Sequence, residues 1–325
     1  MSVLLTGAAG FIGYHVAEAL LARGEEVIGV DNVNAYYDPQ LKEARLARLA
    51  ALKGFRFRRL DIADRATLAA LAGETGVDRI LHLAAQAGVR HSFVDPLAYV
   101  TANLVGHGHM LEVARALQPH LKHFVYASSS SVYGGNTKLP FAVEDRVDAP
   151  ISLYAATKRA DELLSFAYAE MFGLSATGLR FFTVYGPWGR PDMSAYIFVG
   201  RILRGEPLEV FNHGEMRRDF TYIDDIVAGT LSALDRPPPP GPGTPHRLYN
   251  LGSHRPEPLA RFISVIEAAV GRKARLEYRP MPPGDVKETF ADIEASRRDL
   301  GFAPSTSIDQ GIPRFVAWYR DYHRV

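Results

Sequence analysis

The 325-residue sequence contains no cysteine, which removes disulfides, thiolate metal sites and thiol nucleophiles in one step. A reducing compartment such as the cytoplasm fits that composition. An excess of charge of either sign is also missing: 37 Lys and Arg stand against 36 Asp and Glu. That balance gives no reason to expect nucleic acid or an acidic membrane surface as a partner, while small anions stay open. No run approaches the ~18 apolar residues of a membrane span. The chain enters an apolar strand at Val3 without the basic and apolar stretches of an export signal, so neither export nor anchoring is expected. Metal-ligand patterns are absent too; His107 and His109, two apart on a helical stretch, point to different faces. What is abundant is apolar surface. Hydrophobic residues make up 47% of the chain, ample for a sizeable core in one large or two smaller domains.

Val3 to Thr6 reads as a buried strand that runs into Gly7-Ala8-Ala9-Gly10-Phe11-Ile12-Gly13 and then an apolar-periodic helix ending near Arg23-Gly24. Glycines let backbone approach a pyrophosphate, and a helix N-terminus offers it free N–H groups and partial positive charge. Standing alone, G-x-x-G-x-x-G is often just a tight turn. Here Val27 to Val30 forms the next strand and delivers Asp31, with Asn32 beside it, to the strand's C-terminal end, where a carboxylate accepts from both ribose hydroxyls and repels a 2′-phosphate. NAD is thereby favoured over NADP, with Arg23 and Lys42 the nearby basic residues that argue the other way. Strands at Phe55–Leu60 and Arg79–Ala84 and a helix after Asp64 continue the alternation. They predict an α/β fold: a Rossmann-type, doubly wound parallel sheet with helices on both faces. Past the strand ends, Asp61-Ile62 is expected to meet the adenine, and Leu83-Ala84-Ala85-Gln86 to line the middle of the cofactor. A long helical stretch, Asp95 to Leu117, follows.

The strand Lys122–Ala127 opens into Ser128-Ser129-Ser130-Ser131-Val132-Tyr133-Gly134, on the same side of the sheet as the glycine turn. Four serines in a row usually make a polar loop. Beyond them, Ser152 caps a predicted helix from Leu153 to Phe172, closed by Gly173. On that helix Tyr154 and Lys158 share a face. A phenol is a poor base at neutral pH unless a neighbouring positive charge stabilises its anion, which Lys158 can do. Alone, Tyr-x-x-x-Lys more often means an exposed Lys lying over a half-buried Tyr. After the strand Ser175–Phe182, a turn-rich loop (Thr183 to Pro191) breaks the βα rhythm. A strand at Phe220–Ile223 and a helix begun by Asp224-Asp225 precede Pro237–Pro245, expected as an exposed connection. The final third holds a returning strand at Tyr249–Gly252, a helix at Leu259–Val270, a loop at Pro280–Asp285 and a terminal helix near Ile312–Tyr322.

The glycine turn, Asp31, the Ser-rich strand end and Tyr-x-x-x-Lys, in this order, resemble the extended short-chain dehydrogenase/reductase superfamily, in particular its nucleotide-sugar epimerases and dehydratases. The resemblance implies a Rossmann domain at 1–182 plus about 221–252, and a smaller, discontinuous C-terminal α/β substrate domain at about 183–220 and 253–325. Tyr154, Lys158 and Ser129 then become the catalytic set. Gly7, Gly10, Phe11, Ile12, Gly13, Asp31, Asn32, Asp61, Ile62, Leu83, Ala84, Ala85, Gln86, Ser128, Tyr154 and Lys158 become the NAD contacts. Dehydratases of the superfamily carry Asp-Glu where this chain has Ser130-Ser131, so elimination of water lacks its acid and base. Ala84 to Arg90, Ser152 to Lys158, Arg180 to Met193, Phe211 to Gly214 and Arg217 to Phe220 are similar to stretches of UDP-glucuronate 4-epimerases. That likeness implies UDP-glucuronate and UDP-galacturonate as partners, with Arg90, Ser129, Thr183, Arg190, Arg218 and Asp285 as substrate contacts. It further implies a homodimer through the Asp95–Leu117 and Leu153–Phe172 helices. A UDP-glucuronate decarboxylase, an epimerase of another UDP-hexose and a non-catalytic NAD-binding regulator are the competing readings.

Overall fold

The structure is a computed structural model describing residues 2–239 and 241–325. Among them the strands are, in chain order, β1 (Ser2–Thr6), β2 (Glu26–Asp31), β3 (Phe55–Arg59), β4 (Val77–His82), β5 (His123–Ser129), β6 (Ala176–Phe181), β7 (Thr183–Tyr185), β8 (Pro207–Phe211), β9 (Arg217–Tyr222), β10 (His246–Leu251), β11 (Pro256–Pro258) and β12 (Arg275–Arg279). The helices are α1 (Phe11–Ala22), α2 (Pro39–Ala50), α3 (Arg65–Ala72), α4 (Pro96–Tyr99), α5 (Gly106–Ala116), α6 (Leu153–Phe172), α7 (Ser194–Arg204), α8 (Ile223–Asp235), α9 (Leu259–Val270), α10 (Glu294–Leu300) and α11 (Ile308–His323). Seven strands form one sheet in the order β10-β6-β5-β4-β1-β2-β3, and every pairing in it is parallel. β1, β4 and β5 at its centre are buried along nearly their whole length, as strands covered on both faces must be. Outermost β3, Phe-Arg-Phe-Arg-Arg, alternates instead and leaves its arginines exposed.

Ligands of such sheets lie beyond the strand C-termini where the strand order reverses, and here that reversal falls between β1 and β4. The second layer of structure grows from that end. β11, β9 and β7 make one small sheet and β12 with β8 another. They share a continuous apolar core with the large sheet, running from Val3 and Phe11 through Phe181 and Phe220 to Phe262 and Phe315. Asp219, fully buried on β9, ties this layer together by accepting from the backbone N–H groups of Ser253, His254 and Ala291. Among the described residues no helix is long and apolar enough to cross a membrane.

Most predicted elements form within a residue or two of their expected ends. α2, α7, α10, β8, β11 and β12 go beyond the sequence reading, and β7 forms at Thr183–Tyr185, inside the stretch expected as a loop. The stretch Asp95–Leu117 is helical but not uniform: α4 and α5 are joined by a π-helical turn at Val100–Val105. α11 starts at Ile308 rather than Ile312 because Ser307 and Gln310 form a capping box. Within Pro237–Pro245, Pro240 lies outside the described residues; its described neighbours carry neither helix nor strand.

Candidate active site

A cleft of about 1220 Å³ opens over the C-terminal ends of β1, β2, β4, β5 and β6. At one end is the glycine turn. A Cβ on Gly7, which has φ +75°, would lie 2.8 Å from the Ala84 nitrogen, and one on Gly13 would lie 2.0 Å from the Gly7 carbonyl. The turn therefore packs this closely only without side chains. Gly10 caps α1 with no side-chain acceptor, so the first N–H groups of the helix keep their donors for an anion. Asp31 closes this end. Its carboxylate accepts from Ala9 N at 3.1 Å and Val33 N at 2.8 Å. Asn32 donates to Asp61 at 2.9 Å, and Asp61 with Ile62 lines the cleft wall. Of the two basic residues that argued for NADP, Arg23 is elsewhere, paired with Glu25 and Asp235. Lys42 lines the cleft but spends its ammonium on the Asn34 carbonyl and side chain.

Leu83 to Gln86 cross the middle of the cleft. Their backbone is held by Asn103, a buried residue that sequence reasoning missed. It accepts from Gln86 N at 2.8 Å and donates to Gln86 O at 3.1 Å and to the Thr157 hydroxyl at 2.9 Å. The π-helical turn supplies this inward-facing amide, and such turns often mark functional sites. Through Thr157, Asn103 locks the loop to α6, the helix that carries Tyr154 and Lys158.

Ser152 caps α6 through Ala155 N and Gly173 ends it in the left-handed conformation, both as expected. Tyr154 lies against Tyr99, ring centroids 6.0 Å apart. The Lys158 ammonium is buried and donates to Ala127 O at 3.0 Å, on β5, and to Asp161 at 2.9 Å. Asp161 is a second residue the sequence did not flag. Burial pushes its carboxyl up to about 6, against the opposing pull of Lys158. Ser129 reaches the cleft and its hydroxyl accepts from Ser131 N. Ser128 does not point its hydroxyl at a cofactor: it donates to Glu162 at 2.6 Å, leaving only backbone for the cleft. The cause is a buried fork in which Arg180 grips Glu162 at 2.8 and 2.9 Å, a carboxylate whose remaining lone pairs draw the serine inward. Ser130 and Ser131, expected as loop, line the cleft beside Ser129.

Thr183, Arg190, Arg218, Asp285 and Arg90 also line the cleft. Asp285 bridges the two arginines, at 3.1 Å from Arg90 and 3.4 Å from Arg218, and Arg90 also covers the Phe211 ring at 4.3 Å. Arg218 donates to the carbonyls of Val286 and Lys287; burial draws its guanidinium below its ordinary range. Arg190 departs from expectation, since its fork is already filled by Asp192, at 3.0 and 2.5 Å. Tyr36 donates to the same carboxylate at 3.0 Å. Among the described residues no group of three or more metal-ligating side chains comes together.

Residues 3–252 match the family described as NAD dependent epimerase/dehydratase. The chain belongs to that family. It is 46% identical over 337 residues to a probable UDP-glucuronate 4-epimerase of Rhizobium meliloti (strain 1021), covering 100% of this chain and 98% of that one. It is 46% identical over 333 residues to UDP-glucuronate 4-epimerase 3 of Arabidopsis thaliana, covering 99% and 77%. The crystal structure of UDP-glucuronic acid 4-epimerase from Bacillus cereus, in complex with UDP-glucuronic acid and NAD, superposes with a TM-score of 0.90 at 33% identity. The match covers 99% of this chain and 100% of that one. The family's cofactor suits the donors present: an uncapped helix start and a bare glycine turn for a pyrophosphate, and Asp31 for a ribose.

Proposed function

We propose that this chain is an NAD-dependent UDP-glucuronate 4-epimerase, interconverting UDP-glucuronate and UDP-galacturonate through a 4-keto sugar. One observation carries the reading: Tyr154, Lys158 and Ser129 line a single cleft together with the glycine turn and with Arg190, Arg218 and Asp285. We assign residues 183–220 and 253–325 to substrate binding and the rest to the cofactor.

Bound NAD supplies the acceptor and donor of the hydride at carbon 4, so no second cofactor is consumed. Tyr154 as phenolate takes the proton from the 4-hydroxyl and later returns one. Lys158 stabilises that anion by its charge. Two of its three donors are spent on Ala127 and Asp161, and the third is the one we assign to the nicotinamide ribose. Ser129 and Thr183 hydrogen-bond the reacting oxygen and limit its drift as the ring turns over. Arg218 faces the diphosphate, Asp285 the uridine ribose, and Arg90 the rim of the same subsite. The acid group at carbon 5 falls to Arg190, which must share or exchange its Asp192 partner to receive it. A 4-keto uronate is a β-keto acid and loses carbon dioxide once its carboxylate aligns with the ketone, so a fixed carboxylate is what separates epimerisation from decarboxylation.

We further propose a homodimer in the cytoplasm, built on α4–α5 and α6. The exposed apolar side chains of Val105, Leu163, Phe166 and Met171 on these segments support it. The catalytic reading is tested by incubating the purified protein with UDP-glucuronate and following the sugar by NMR. UDP-galacturonate with at most a trace of pentose is expected. Stoichiometric carbon dioxide with a UDP-pentose would transfer the assignment to a decarboxylase, and unchanged UDP-sugar to a non-catalytic binder.

A further inference from the structure

Arg45, on α2, is among the largest fully buried side chains in the molecule. Its guanidinium donates to four oxygens, all neutral. Nη1 reaches the Ala9 carbonyl, inside the glycine turn, and the Tyr37 hydroxyl, each at 2.8 Å. Nη2 reaches the Trp188 carbonyl at 2.6 Å and the Gly189 carbonyl at 3.3 Å. Nε is buried without a partner. Burying a cation among neutral acceptors is costly, and an apolar side chain of similar length would avoid that cost. What only the planar guanidinium offers is a rigid fork that holds two separate segments at once.

Those two segments are the cofactor's turn and the loop that ends in Arg190. Trp188 sits at φ +60°, an unfavourable conformation for a bulky residue, and its carbonyl is the one Arg45 holds most closely. The preceding carbonyl, of Pro187, accepts from His15 Nε2 at 2.8 Å, and His15 lies on α1, which starts at the glycine turn. Three consecutive carbonyls before Arg190 are thus pinned by helices flanking the cofactor's seat. Past Arg190, Tyr36 holds Asp192. The specificity loop thus takes part of its shape from the first ~45 residues of the chain, while the Trp188 ring packs on Trp318 and Tyr322 of α11.

We propose that Arg45 is a positioning residue for substrate selection: it fixes Arg190 relative to the cofactor cleft, and the preference for a sugar bearing an acid group depends on it. This rests on the reading of Arg190 given above. A misplacement of about an ångström at such a site costs up to roughly a hundredfold, and the loss falls on the substrate whose carboxylate must meet Arg190.

The test compares Arg45→Met and Arg45→Lys with the unaltered protein, each saturated with NAD, using UDP-glucuronate and UDP-glucose. Steady-state constants are measured for both sugars, together with calorimetric Kd values in a Tyr154→Phe background and bound NAD after unfolding. With NAD saturating and its content measured for each variant, we expect a rise of about tenfold or more in KM and Kd for UDP-glucuronate, a change under about threefold for UDP-glucose, and kcat affected less than KM. Arg45→Lys, which keeps the charge but not the fork, should fall between. It also serves alone if Arg45→Met does not fold. A shift of the UDP-glucuronate to UDP-glucose ratio below about threefold in every folded variant overturns the proposal, as do equal losses on both sugars. If the unaltered protein itself shows no preference, the assignment of Arg190 fails and this inference with it. If the preference is present and the variants keep it, only the role of Arg45 is lost.

Discussion

At the scale of single residues, the cleft combines side chains that the sequence announces with others that it hides. Tyr154, Lys158 and Ser129 are legible because their spacing has one chemical use. Accordingly, Tyr154→Phe, which removes only an ionisable oxygen, should fold and retain NAD. Its turnover should drop by about 10²- to 10⁴-fold; near-native turnover by NMR would require another base. Asn103 and Asp161 are illegible, because an amide in a helical run and an acid three residues after a lysine look like surface until a π-helical turn and burial turn them inward. The same holds for Glu162, which reads as a solvated helix residue yet carries the buried fork to Arg180 and draws the Ser128 hydroxyl away from the cleft. Glu162→Gln leaves a buried guanidinium without its counter-charge, so a loss of roughly 3–5 kcal/mol in urea unfolding is expected. A loss under about 1 kcal/mol would mean that water or another acid satisfies Arg180.

Among the elements, strands and long helices follow from periodicity, whereas the pieces of the substrate layer do not. β8 and β12 are five-residue strands whose pairing spans more than sixty residues of chain, a partnership that no local pattern announces. The loop 186–193 is likewise shaped from outside itself, by His15, Arg45 and Tyr36. Two stretches carry information the other way: α4–α5 and α6 leave Val105, Leu163, Phe166 and Met171 between 43% and 69% exposed, more apolar surface than an isolated helix face should offer water. Val105→Glu with Phe166→Glu should therefore convert the proposed dimer to a monomer, read by light scattering at fixed concentration. A double variant that keeps the mass of the unaltered protein would place the contact elsewhere.

Over the whole molecule, electrostatics set a working range of pH. Burial pushes His123 down to about 4 and His107 to about 3, and His15 and His246 to about 4 as well. Below the ordinary histidine value of about 6.5 the unfolded chain takes up protons that the folded chain refuses, so stability falls as pH drops from about 6.5 toward 4. By pH 5 the fully buried pair, His107 and His123, accounts for roughly 2 kcal/mol each. Asp161, raised to about 6, works in the opposite sense over part of that window, being a single group against several. The urea midpoint should therefore drop clearly between pH 7 and pH 5; an equal or higher midpoint at pH 5 would contradict the burial of these rings. Finally, the large sheet is not contiguous in sequence. β10 completes it against β6 only after residues 183–220 have gone to build the second layer and α8 has followed. On a ribosome, the outer edge of β6 stays open until residue 251 has cleared the exit tunnel, an interval of seconds at roughly 5–20 residues per second. For that time the nascent chain presents an unpaired strand of the kind that invites pairing between neighbouring chains on one messenger.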